Sequence, residues 1–253
     1  MLLNTQEKRT ATARAEKRHP RSRLHPAKIR TGLRRRWFQH EMERTQLRAM
    51  DGLVTLGDPD YGGWIVPGDL IRPEWVCYSV GAGGDISFDT ELIERWGVRV
   101  RSIDPVPDYV RRALEEAAGD ERLTAHQFAI ATSDGPVRMQ LTHDPNSESV
   151  SPVGLYDSKS YVEFEGRTLP SLMAELGDER IELLKLDIEG GEYDVIPALD
   201  LRALGVEVFA TQLHHVASVA RARALVSMLA AQGYEPVACH PAVKLTFVRR
   251  ELL

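Results

Sequence analysis

Cysteine is nearly absent from this sequence: Cys77 and Cys239 are the only two among 253 residues, too few for a disulfide framework or a thiolate metal cluster. Cys77 sits inside an apolar run and reads as a small core residue rather than a nucleophile. No stretch of eighteen apolar residues occurs, so no helical membrane span is expected. The opening Met1-Leu2-Leu3-Asn4 has no apolar core of the kind a secretory signal needs, and Glu7 and Glu16 argue against an organellar transit peptide. These absences point to a reduced, cytoplasmic protein. A hydrophobic content of 43% is enough to build a sizeable core in a chain of this length.

Charge is abundant but unevenly spread. Residues 1–48 hold 14 Lys and Arg against 4 Asp and Glu, whereas the other 205 residues hold 18 against 33. Residues 1–33 read as a basic, disordered arm, nearly empty of large apolar side chains. Such an arm suits contact with nucleic acid or an anionic surface, and equally suits folding back on its own acidic domain. Residues 34–74 read as a lead-in. It has a short helix over Arg34–Met50, with Trp37, Met42, Leu47 and Met50 toward the core. A hairpin follows, from runs Leu53–Leu56 and Gly63–Val66.

Residues 75–253 read as one α/β domain. Strands are expected at Trp75–Val80, Val98–Ile103, Leu123–Ala131, Ile181–Ile188 and Val206–Leu213, with helices at Phe88–Trp96, Tyr109–Ala118, Thr168–Leu176, Glu192–Leu199 and Ala217–Gln232. That alternation predicts a mostly parallel, doubly wound sheet of Rossmann-like type. Tyr234–Cys239 and Lys244–Arg249 predict a closing hairpin with an antiparallel edge strand. Val137–Thr142 is a further strand, paired outside the nucleotide-binding half. The polar stretch His143–Lys159 is the longest loop, the place where specificity for an acceptor is expected, with Tyr156 and Tyr161 as stacking candidates.

Two acidic, glycine-containing clusters carry the chemistry. Gly81-Ala82-Gly83-Gly84-Asp85 follows the first strand and opens a helix, where glycine lets the backbone approach a ligand. A dinucleotide fingerprint needs a glycine at the sixth position, which is Ile86 here. Asp104, 23 residues after Gly81, ends the next strand, where a carboxylate can accept ribose hydroxyls. Asp85 suits the amino group of an amino-acid tail, or the first turn of the helix. Carboxylates beside the loop favour the zwitterionic tail of S-adenosylmethionine over a pyrophosphate. The second cluster is Lys185-Leu186-Asp187-Ile188-Glu189-Gly190-Gly191-Glu192 at the end of an apolar strand. Alternation puts Asp187 and Glu189 on one side, with Gln212, His214 and His215 ending the neighbouring strand. Asp187 is the first candidate to remove a proton or polarise an oxygen, and His214 the second, sharing a face with Gln212. No metal-ligand set is assigned, because carboxylates and a histidine are common at strand ends; a divalent ion held by Asp187 and His214 stays open.

The motifs resemble the FkbM family of methyltransferases. The matching pieces are Val80-Gly81-Ala82-Gly83-Gly84-Asp85, Asp104-Pro105, Arg167-Thr168-Leu169-Pro170-Ser171-Leu172 and Leu184-Lys185-Leu186-Asp187-Ile188-Glu189-Gly190, with Gly62-Gly63-Trp64-Ile65-Val66 as a lead-in. The resemblance spans residues 55 to about 215. It implies the class I methyltransferase fold and S-adenosylmethionine-dependent methylation of an oxygen on a small molecule or glycan. It also implies cofactor contacts at Gly81, Gly83, Asp85, Asp104 and Ala129. Gly83 replaces the usual Asn, and Pro170 replaces an Asp, which removes any role that aspartate has. Two other readings remain: an NAD-linked oxidoreductase on a similar sheet, and a non-catalytic protein acting through its basic arm.

Overall fold

The computed structural model of the chain describes residues 26–58, 63–142, 149–153 and 159–253, with backbone alone for 26–31. Helix α1 (Pro26–Met42) leads into a hairpin of β1 (Leu53–Leu56) and β2 (Trp64–Pro67), in antiparallel register from Leu53–Pro67 to Leu56–Trp64. Most of the expected arm, residues 1–25, lies outside the described residues; α1 begins within its last part and stops eight residues short of Met50. Its buried side chains are Phe38 and Met42, spaced i to i+4, whereas Trp37 and Leu47 are exposed. Glu41 pairs with Arg223 at 2.8 Å, tying the helix to the body of the protein.

The main sheet is built from β3 (Val76–Val80), β4 (Arg99–Ile103), β5 (Leu123–His126), β10 (Leu183–Leu186), β11 (Val208–Gln212), β12 (Tyr234–His240) and β13 (Lys244–Arg249). Their order is β12-β13-β11-β10-β3-β4-β5. Neighbours from β11 to β5 are parallel; β13 runs antiparallel to both β11 and β12. Helices α2 (Ser87–Trp96), α3 (Pro107–Glu116), α4 (Leu169–Leu176), α5 (Glu192–Val195) and α6 (Val219–Ala231) make the crossovers. This is the class I methyltransferase arrangement, with the antiparallel strand near one edge.

The two-residue strand period explains the two layers of core. On β3, Val76, Tyr78 and Val80 join Leu184, Leu186, Phe209 and the residues of α4 and α6 on one face. Cys77 joins Leu183, Trp64, Phe88 and Leu92 on the other, so the hairpin and α2 cover the opposite side. Buried strands of this kind need cover on both faces. Burial holds the Cys77 thiol well above its usual pKa, as suits an inert core residue. Thr168 caps α4 by accepting from the Ser171 amide.

Two strands differ from expectation. Residues 123–131 do not form one strand: β5 ends at His126, and β6 (Ala129–Ile130) leaves to join a second sheet. That sheet, ordered β6-β9-β7-β8, contains β7 (Gly135–Leu141), β8 (Val150–Ser151) and β9 (Tyr161–Arg167). Strand β7 does pair outside the main sheet, and β9 is not among the strands expected from the sequence. Its alternation of Val162 and Phe164 with Glu163 and Glu165 is the signal that identifies it. Residues 143–148 and 154–158 of the long polar stretch, Tyr156 among them, lie outside the described residues.

Candidate functional site

A cavity of about 710 Å³ opens at the carboxyl ends of β3, β4 and β10. Open α/β sheets bind ligands there, because the loops after adjacent strands diverge and leave a crevice. Gly81, Gly83, Asp85, Asp104, Ala129 and Asp187 all line it. His214 does not; it stands behind Asp187 and lines an adjoining cavity of about 610 Å³. Glu189, Gln212 and Ala242 belong to the walls of both.

The glycine loop is shaped by two left-handed residues. Gly81 has φ +70°, and a Cβ there would run into the Asp187 carbonyl oxygen, so the loop and the end of β10 pack backbone to backbone. Gly83, at φ +67°, has open space where a side chain would stand. Asp104 ties the loop to the next strand: Gly83 N–H donates to its Oδ2 at 3.0 Å and Val106 N–H to its Oδ1 at 2.9 Å. Burial pushes the Asp104 pKa up to about 6, with the two amides pulling the other way. Asp85 Oδ1 accepts from the Ser87 amide at 2.8 Å in the first turn of α2. Of the two roles left open for Asp85, this bond shows the helix-start one, while its place on the cavity wall leaves the other available.

At the end of β10 the side chains do the organising. His214 Nε2 lies 3.3 Å from Glu189 Oε2 and 3.8 Å from Asp187 Oδ1, and its Nδ1 lies 3.1 Å from Glu192 Oε1. Gln212 Nε2 is 3.4 Å from His214 Nε2, as their shared strand side predicts. Glu189 reaches the group differently from expectation. Strand β10 ends at Leu186, and Glu189 has φ +52°, a left-handed conformation that costs a non-glycine residue about 1 kcal/mol or more. Ser151 Oγ donates to the Glu189 carbonyl at 2.6 Å and braces that turn. Burial opposes protonation of His214, but Glu192, Glu189 and Asp187 outweigh it and hold the imidazole pKa well above 6.5. Burial likewise raises Asp187 to about 6, against the attraction of His214 and Lys185.

Three residues of the site carry no assigned role in the sequence. Glu192 is fully buried; besides facing His214, its Oε1 accepts from the Ile188 amide at 2.9 Å. Lys185, a charge inside an apolar strand, donates to Gly81 O at 3.2 Å and lies 5.3 Å from the Trp64 ring centroid. Trp64, brought in by the hairpin, also carries Lys244 at 4.7 Å from its centroid. An interrupting lysine in an otherwise apolar strand was the available signal. His215 lines the second cavity with His214, and burial, then His214, Arg35 and Arg34 lower its pKa. Tyr161 is exposed and stacks with Arg138 at 4.2 Å on β9.

The family model of the methyltransferase FkbM domain matches residues 78–236, which includes the glycine loop, Asp104 and the whole β10–β11 cluster. The chain belongs to the FkbM methyltransferase family. It is similar to the AMB antimetabolite synthetase AmbE of Pseudomonas aeruginosa, at 27% identity over 210 residues, covering 66% of this chain and 10% of the synthetase. Among solved structures, a methyltransferase FkbM from Methylobacillus flagellatus KT aligns with TM-score 0.47 and 15% identity, over 72% of this chain and 46% of that one. A precorrin-6y C5,15-methyltransferase from Geobacter metallireducens aligns with TM-score 0.41 and 13% identity, over 70% and 82%. The FkbM-family chain thus spans 10% of the synthetase and 46% of the Methylobacillus protein. Among its described residues, no helix is long and apolar enough to cross a membrane.

Proposed function

We propose that this FkbM-family protein transfers a methyl group from S-adenosylmethionine to a hydroxyl oxygen of a small molecule or glycan. The observation that carries the reading is one cavity with two unlike ends. The Gly81–Asp85 loop and Asp104 line one end, and Asp187 with Glu189 lines the other. Its volume, about 710 Å³, lies within the range of about 300–1,000 Å³ usual for sites that enclose a small molecule.

The residues present fit the cofactor. Open space at Gly83 leaves room for a ligand against the loop backbone. Each Asp104 oxygen that accepts one amide keeps a second lone pair, which suits a ribose hydroxyl. Asp85 suits an ammonium group, and Asp85 with Asp104 would repel a pyrophosphate. Ala129, small and buried at the cavity wall, leaves width for a flat base. Bound there, S-adenosylmethionine supplies a methyl on a positively charged sulfur, the new O–C bond forming as the S–C bond breaks and leaves its electron pair on sulfur.

The chain's own task is then to hold the acceptor in line and draw off its hydroxyl proton. Asp187, on the cavity wall, is the group we assign to that task, with His214 behind it as its charged partner. Tyr193 supports it by donating its hydroxyl hydrogen to the His214 carbonyl at 2.9 Å, which fixes the histidine backbone.

The test is calorimetric titration with S-adenosylmethionine, S-adenosylhomocysteine and NAD. The first two are expected to bind wild-type protein, with affinity reduced at least tenfold in Asp104→Ala. Binding of NAD alone, or of none of the three, would overturn the reading.

A further inference from the structure

We propose that Asp187, Glu192 and His214 form a binding site for a divalent cation of the Mn²⁺ type, behind the acceptor end of the cavity. One donor atom from each residue lies within 4.8 Å of the others. Bonds of about 2.0–2.2 Å to a central ion span that spread after a small inward movement of the side chains.

A second observation points to a ligand independently of this clustering. Glu192 is completely buried, and its Oε2 has no hydrogen-bond partner among the described residues. The same holds for Asp187 Oδ1, the oxygen that faces His214 Nε2. Buried carboxylate oxygens are ordinarily paired, and two orphans around one imidazole are unusual in a folded interior. Charge gives the same direction. Asp187, Glu189 and Glu192 surround a single ring, and one ring cannot neutralise three carboxylates. Lys185, which donates to Gly81 O and Ser79 Oγ, and Lys244 offset only part of this charge, at Asp187.

The donor chemistry narrows the ion. Two carboxylates with one imidazole suit Mn²⁺ or Zn²⁺ better than Ca²⁺ or Mg²⁺, which prefer all-oxygen shells. Outer contacts already orient the donors: the Ile188 amide holds Glu192, and Tyr193 holds the His214 backbone. The cation's role rests on the methyl-transfer reading: it would hold Asp187, the group assigned to the acceptor proton, in place on the cavity wall.

The experiment uses the full chain, stripped with chelator and titrated with MnCl₂ while the free Mn²⁺ signal is followed by electron paramagnetic resonance. S-adenosylhomocysteine binding is measured by calorimetry on the same batch. Wild type is expected to take up one Mn²⁺ per chain, with at least tenfold weaker uptake in Asp187→Asn and His214→Gln. Glu163→Gln, on the exposed edge of β9, is expected to match wild type. Absence of saturable uptake by wild type, or equal uptake by all four proteins, overturns the site. If a variant melts early, wild-type stoichiometry still decides. S-adenosylhomocysteine binding without Mn²⁺ uptake removes the cation and leaves methyl transfer standing; Mn²⁺ uptake without S-adenosylhomocysteine binding supports the site and removes its assigned role.

Discussion

The two ends of the cavity are built on opposite principles. At the β3–β4 end, shape comes from backbone: Gly81 packs against the Asp187 carbonyl, Gly83 leaves open space, and Asp104 is held by two amides. At the β10–β11 end, shape comes from charged side chains that face one another, with His214 between three carboxylates. A backbone cradle recognises a ligand that is always the same. A cluster of titratable groups suits a reacting atom, whose charge changes during the reaction. The comparison teaches that substitutions at the two ends should separate stability and cofactor binding from turnover.

The largest effect is expected where the two ends touch. Gly81→Ala has to move the Asp187 backbone and adopt a positive φ, so it should destabilise the fold by about 3 kcal/mol or more in urea unfolding. Wild-type stability in that variant would show that the loop and β10 are not locked together. Next, Asp187→Asn should lower kcat by about 10²- to 10⁴-fold while leaving the S-adenosylhomocysteine affinity within about threefold. Loss of cofactor affinity instead would mean that the two ends are not functionally distinct.

Asp89, at the cavity wall, gives a third, pH-dependent test. Burial pushes its pKa from 3.8 up to about 6, with Lys185 and the Ser79 and Ser102 hydroxyls opposing and Asp85 adding to the rise. A carboxyl raised in the fold favours its protonated form, so the fold loses stability as pH rises through about 6. Asp89→Asn escapes that loss. It should be more stable than wild type at pH 8, by up to about 3 kcal/mol, and the difference should close toward pH 4. A pH-independent difference between the two proteins would show that Asp89 does not titrate in this range. The smallest effect is expected at Gly83→Ala, about 1 kcal/mol from its positive φ, with weaker cofactor binding measured by calorimetry. If Gly83→Ala proved as damaging as Gly81→Ala, backbone conformation rather than the contact with β10 would be the cause.

Much of this organisation was legible in the residues. The alternation of β-prone and helical segments fixed the parallel sheet, because buried strands between crossover helices leave few other arrangements. The Gly81–Asp85 loop, Asp104 and Asp187 were found because strand ends of an open α/β sheet converge on one crevice. The break between β5 and β6 was not legible, since an apolar run carries no mark of which sheet it joins. Glu192 opens α5, where a helix is expected to start, and nothing in its local sequence marks an inward-facing carboxylate. Only the fold turns it inward, 22 residues from the histidine it meets.

By itself, then, the sequence determined the fold class, the family and the glycine-loop end of the cavity. These depend on local patterns: period, glycine positions and carboxylates at strand ends. The tertiary structure decided the other end. There His214, Glu189 and Glu192 come from a strand end, a left-handed turn and a helix start, and the contacts between them are set by packing rather than spacing.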